Sequence, residues 1–139
     1  MMRRRAIVRL GILAAVLACG PTQQDLSIRL WSEDMAFRIM SDPVPPIARE
    51  KIRYQIQVRD AKTGAPVEGG EGRIFASSRD GASTWDSLVQ GEQLGTYYAN
   101  LRFITAGEWA VAIQFRKDST RTLQRMDWMQ EVFPAKETN

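Results

Sequence analysis

The chain has 139 residues, no histidine and one cysteine, Cys19, so the side chains left for chemistry are carboxylates, hydroxyls and thioethers. Without histidine, and with the one cysteine assigned below to lipid, histidine-based triads, cysteine nucleophiles and His/Cys zinc sites are excluded. Two carboxylates facing each other across a cleft would suffice for glycoside hydrolysis. The acids here fall where turns are expected instead. Glu33 and Asp34 are adjacent and would point to opposite sides of a strand, Glu68 and Glu71 flank a pair of glycines, and Asp80, Asp86 and Glu92 lie in loop-like stretches. These read as solvated turn acids, and no catalytic residue is assigned. Asp80 before Gly81 reads as a turn as well, because a calcium site needs several converging oxygens.

Thioethers suit copper in its reduced state, which makes Met35, Met40, Met126 and Met129 the alternative metal set. Within each pair the separation is odd, so the two members lie on opposite faces of a regular strand. Core packing by flexible methionines is the expected role, and no cofactor is expected. The aromatics divide similarly. Trp109 is expected at the centre of the core with Tyr97, Phe103 and Phe115, whereas Trp31, Trp85, Tyr98 and Trp128 are less clearly inward and form the candidate partner-binding set.

Cys19 closes a short apolar run that follows Arg3, Arg4, Arg5 and Arg9. From Leu10 to Ala18 a helix would rise only about 14 Å, far short of a hydrocarbon core about 30 Å thick. The segment therefore reads as a secretory signal rather than a span. The stretch "VLACG" resembles the bacterial lipobox, in which the cysteine is lipidated and the preceding peptide removed. That resemblance makes residues 1–18 a signal peptide, Cys19 the lipidated residue and residues 19–25 a short tether. It leaves the mature chain without a cysteine for a disulfide. Removing residues 1–18 takes Lys+Arg from 19 to 15 against 16 acids, so the formal charge goes from +3 to −1 and the basic balance argues nothing for nucleic acid.

These side chains must be positioned by strands. Ile52, Tyr54, Ile56 and Val58 alternate with Arg53, Gln55, Gln57 and Arg59. Tyr97, Ala99, Leu101 and Phe103 form a second such series, and Trp109, Val111, Ile113 and Phe115 a third. Weaker strand patterns fall at 26–31, 35–40, 72–77, 84–89 and 122–133, separated by turn chemistry such as "DAKTGAP" and "RDGAS". The three prolines of residues 42–50 exclude a central strand there and place that segment at a rim. The pattern predicts an all-β fold: one antiparallel β-sandwich of about seven strands over residues 26–133, with a polar tail at 134–139.

Pro45, Pro46, Asp60, Thr63, Gly64, Pro66 and Val67, followed by Gly95, Tyr97, Phe103, Gly107 and Trp109, give the chain a resemblance to the FixH and YtkA-like family of bacterial envelope domains. The resemblance implies an immunoglobulin-like sandwich and an envelope setting. Some members of that family act in assembling copper-containing terminal oxidases, and others carry methionine- or histidine-rich segments between the middle strands. The corresponding stretch here, "ASSRDGASTWDSLVQGEQL", holds neither residue type. The expected function is thus a non-catalytic module, anchored by lipid to the outside of the cytoplasmic membrane and binding a protein partner near that membrane. In an outer-membraned bacterium Gly20 after the cysteine directs it to the outer membrane. The alternative is a copper-handling or oxidase-assembly factor.

Overall fold

The computed structural model describes Gly20 and residues 24–137, so Cys19 and the segment before it lie outside the described residues. The strands are β1 (Ile28–Trp31), β2 (Met35–Asp42), β3 (Ile52–Asp60), β4 (Glu71–Ser78), β5 (Ser83–Ser87), β6 (Val89–Gln90), β7 (Thr96–Leu101), β8 (Gly107–Arg116) and β9 (Gln124–Val132). They form a five-stranded sheet in the order β1-β2-β3-β7-β6 and a four-stranded sheet in the order β5-β4-β8-β9, with every neighbouring pair antiparallel. No helix among the described residues is long and apolar enough to cross a membrane.

The period-two patterns produce this arrangement directly. On β3 the series Ile52, Tyr54, Ile56, Val58 is buried, and on β8 Trp109, Val111, Ile113 and Phe115 are buried. The two inner faces meet through edge-on aromatic pairs: Phe103 with Trp109 and Tyr97 with Phe115, each at 5.1 Å between ring centres, and Phe37 with Phe115 at 5.7 Å. Such pairs add about 0.5–1.5 kcal/mol each beyond the area they bury. Among the described residues, two of the three buried polar rings are served: the Trp109 indole donates to Thr105 O at 3.0 Å, and the Tyr97 hydroxyl donates to Val67 O at 2.8 Å while accepting from Gly70 N at 2.9 Å; the buried Tyr54 hydroxyl has no protein partner.

The predicted strand over 84–89 divides at Leu88. Residues 83–87 pair with β4 in one sheet, Val89 and Gln90 pair with β7 in the other, and Leu88 packs against the core at the crossing. This division turns the eight strand patterns of the sequence into nine strands among the described residues. The proline-rich segment crosses at the rim as expected: Ile47 bridges to Phe133, Ala48 N donates to Phe133 O at 2.8 Å, and Phe133 N donates to Pro46 O at 2.9 Å.

The turn after β3 is set by its own residues. Asp60 Oδ1 accepts from the backbone of Lys62 and Thr63, each at 2.9 Å, and Gly64 takes φ +72°, a conformation favoured by the absence of a Cβ.

Candidate functional site

Two outward faces remain after the core is built, and they differ in chemistry. On the four-stranded sheet, register places Trp85 opposite Phe75 and Phe75 opposite Ala112, with Ala110 opposite Met129 in the adjoining outward row. The outcome is an apolar diagonal across four strands. Trp85 is 64% exposed and Met129 62% exposed, so the diagonal is open to solvent at both ends. Its centre, Phe75, lies under two guanidinium groups, Arg125 at 5.0 Å and Arg73 at 5.3 Å from the ring centre. Both guanidiniums are also tied down within the sheet, Arg125 to Asp127 at 2.8 Å and Arg73 Nε to Gln114 Oε1 at 2.9 Å, so they hold the ring in place as part of a fixed surface. Open apolar area rimmed by arginine is the composition of a contact surface rather than of ordinary sheet exterior.

On the five-stranded sheet the outward residues are Arg29 and Trp31 of β1, Arg38 and Met40 of β2, Arg53, Gln55, Gln57 and Arg59 of β3, and Tyr98 and Asn100 of β7. Arg29, Arg38, Arg59 and Trp31 share a shallow hollow of about 290 Å³. Asp25, in the segment leading into β1, reaches back onto this face and pairs with Arg29 at 3.0 Å and Arg38 at 3.3 Å. The carboxyl of Asp25 is held well below the usual carboxylate range, first by Ser27 and then by Arg29 and Arg38. Arg53 lies 4.2 Å from the centre of the Tyr98 ring.

The four aromatic residues expected to contact a partner therefore do not form one patch. Trp85 belongs to the apolar diagonal, while Trp31 and Tyr98 lie on the opposite, basic face. Trp128 shares the inward parity of Met126 on β9, is half-buried, and packs edge-on against Tyr54 at 6.5 Å. It packs at the margin of the core, partly open to solvent. Phe75 and Met129 complete the diagonal instead. Met129 was hidden because Trp128 beside it is equally apolar, and only its register opposite Ala110 sets it outward. Phe75 was hidden because Ile74 beside it is equally apolar.

The alternative copper set is divided as its odd spacings foretold. Met35 and Met126 are buried in the core, Met40 lies on the outer face of the five-stranded sheet, and Met129 on the outer face of the four-stranded sheet. The sandwich stands between Met40 and Met129, so the four sulfurs cannot share an ion. Among the described residues no group of three or more Asp, Glu, His or Cys side chains is placed to hold a metal.

Of the acids weighed for catalysis, Asp34, Glu71 and Asp86 are bonded within the fold, Asp86 accepting from Asn100 N at 2.8 Å. Lys117 Nζ bridges Asp34 and Asp60 at 3.0 Å each, and Gln124 Nε2 donates to Asp34 at 2.9 Å. This clamp ties the β1–β2, β3–β4 and β8–β9 connections together at one end of the sandwich. The Thr63 backbone N–H and then Lys117 hold the Asp60 carboxyl well below its ordinary range, Gln124 and then Lys117 lower Asp34, and the two carboxylates raise Lys117. Glu71 pairs with Arg116 at 2.8 Å.

No protein-family model and no curated protein matches this chain. Solved structures do match its fold. A DUF4426 family protein from Pseudomonas aeruginosa superposes with a TM-score of 0.61 at 12% identity, covering 79% of this chain and 97% of its own. FetP of uropathogenic E. coli strain F11 superposes with a TM-score of 0.57 at 8% identity, covering 76% and 93%. The Lin-41 filamin domain follows at 0.51 and 17%, covering 69% and 90%. The fold is an immunoglobulin-like antiparallel β-sandwich.

Proposed function

We propose that this chain is a non-catalytic, lipid-anchored module of the bacterial cell envelope that binds a protein partner through the outer face of its four-stranded sheet. The observation that carries the reading is the apolar diagonal in which Trp85 and Met129 are exposed at the ends and Phe75 lies half-buried between them under Arg73 and Arg125. Its complement is a partner surface presenting apolar side chains. The anchor rests on "VLACG": residues 1–18 are removed, Cys19 carries the lipid, residues 19–25 tether the sandwich, and residues 134–139 form a polar tail. The envelope setting rests on the same signal, and the likeness to the FixH and YtkA-like group rests on Asp60, Thr63, Gly64, Pro66 and Val67 of the turn after β3 with Gly95, Tyr97, Phe103, Gly107 and Trp109 of the late strands.

Fatty-acid labelling tests the anchor. The wild type should incorporate label and fractionate with membranes, and Cys19→Ser should lose both properties. An unlabelled wild type released freely after export would contradict it.

The copper alternative draws on FetP, a variant of which was solved with copper bound. The shared fold does not transfer that site, and the separation of Met40 from Met129 leaves the methionine set unable to supply one. Partner binding is the better-supported reading.

A further inference from the structure

The two outer faces carry opposite charge balances, and the tether leaves from one of them. On the five-stranded sheet Arg29, Arg38, Arg53 and Arg59 stand against Asp25 and Asp42; Lys51 and Glu33, at opposite ends, offset one another. On the four-stranded sheet Arg73, Arg116 and Arg125 stand against Glu71, Glu108, Asp127 and Glu131. The first face is net positive and the second net negative. Gln24, Asp25 and Leu26 line a groove of about 430 Å³ on the positive face with Arg38, Met40 and Val44, so the polypeptide runs onto that face before it leaves the fold. From Gln24 back to Cys19, five residues reach at most about 18 Å. Beside the groove Trp31 is 66% exposed, and Leu26 and Val44 at its margin are exposed as well.

We infer that the outer face of the five-stranded sheet rests on the anionic headgroups of the membrane that holds the lipid, with Trp31 at the headgroup level. This rests on the lipid anchor proposed above. Three features agree on the occupant. Arginines near an anionic leaflet gain from its surface potential, and a tryptophan with one apolar body and one N–H favours the interface. The short tether keeps the face within reach of the bilayer throughout the life of the anchored protein. Arg59, bonded only to a carbonyl, Gly64 O at 3.0 Å, and Arg53, stacked on Tyr98, have no carboxylate partner among the described residues and have the most to offer a phosphate, whereas Arg29 and Arg38 share Asp25. The opposite, partner-binding face is then turned away from the membrane and toward the envelope space.

Tryptophan quenching by a headgroup-labelled nitroxide lipid tests this orientation. The lipidated full protein is reconstituted into vesicles of phosphatidylglycerol and phosphatidylcholine, and the wild type is compared with Trp31→Phe and Trp85→Phe. Both rings are exposed and neither substitution touches the core. The expected result is that most of the quenching disappears in Trp31→Phe and persists in Trp85→Phe. Combining Arg38→Gln with Arg59→Gln, or raising salt until the Debye length falls to about 3 Å, should weaken it roughly threefold. A protein that floats with the vesicles but loses its quenching through Trp85→Phe, or shows none at Trp31, overturns the orientation while leaving the anchor intact. A protein that does not float at all overturns both.

Discussion

Phe75 and Trp85 stand directly opposite one another on β4 and β5 with both side chains on the outer face of the sheet. The fold itself gives no reason for two large aromatics there, because the core is closed from within by Trp109, Tyr97, Phe103 and Phe115. A cross-strand aromatic pair stabilises a sheet by less than about 1 kcal/mol, which polar β-formers could nearly match without exposing an indole. The pair is therefore best explained by what it meets outside the chain.

The core makes the sharpest contrast in stability. Trp109→Ala removes a ring that is 1% exposed and should cost about 3–5 kcal/mol, a large share of a small domain's total. Gln114→Ala, on the outward side of the same strand, should cost within about 0.5 kcal/mol. Urea unfolding of the two variants measures the difference; equal losses would mean that the faces of β8 are reversed.

Gly64 and Gly95 share φ +72° but differ in surroundings, which separates backbone strain from crowding. A Cβ on Gly64 would meet nothing within 4 Å, whereas one on Gly95 would stand 2.7 Å from Pro66 Cβ and 2.8 Å from Val58 O. Gly64→Ala should cost about 1–2 kcal/mol from the left-handed conformation alone. Gly95→Ala should cost clearly more, since rigid backbone must shift as well, and thermal melting of both variants would show it.

Acid should weaken the clamp. The folded-state values of Asp34 and Asp60 are lowered, so their contribution is present above the ordinary carboxylate range, about pH 4, and is lost as pH falls through the lowered values. The folded-state value of Lys117 is raised, so its contribution is full below the ordinary lysine value, near pH 10, and is lost as pH rises through the raised one. Lys117→Met should reduce stability at neutral pH and flatten the acid limb of the Tm profile. It should not abolish that limb, because the backbone N–H groups of Lys62 and Thr63 still hold Asp60. An acid limb as steep as that of the wild type would contradict the clamp.

Replacing Met35, Met40, Met126 and Met129 together by leucine keeps the packing volume nearly constant. Because Met40 and Met129 lie on opposite faces, reduced copper should not raise the melting temperature of the wild type, and the quadruple variant should titrate like it. Tight binding of one ion, abolished by the four substitutions, would restore the metal-handling reading.

How much of this was legible beforehand depended on the range of the information. Strict alternation on β3, β7 and β8 settled which side of each strand is buried, because a local period of two decides it. It failed where both parities are apolar. "RIFA" does not say whether Ile74 or Phe75 faces in, and "DWMQ" does not choose between Trp128 and Met129 until the register with β8 is known. The division at Leu88 was invisible because β6 is only two residues long. The Asp34–Lys117–Asp60 clamp joins three connections that only the order of strands brings together, and the grouping of Arg29, Arg38 and Arg59 about Trp31 has the same origin.

The partner-binding surface can be tested in living cells by photocrosslinking. A benzophenone amino acid is placed at Ala110, exposed within the diagonal beside Met129, and as a control at Asn100, exposed on the opposite face. The account predicts one discrete protein adduct from position 110, lost when Trp85 and Phe75 are both changed to serine in a chain that still folds. It predicts no such adduct from position 100. The same protein adduct from both positions, or one at position 110 that survives the loss of both aromatics, would contradict it.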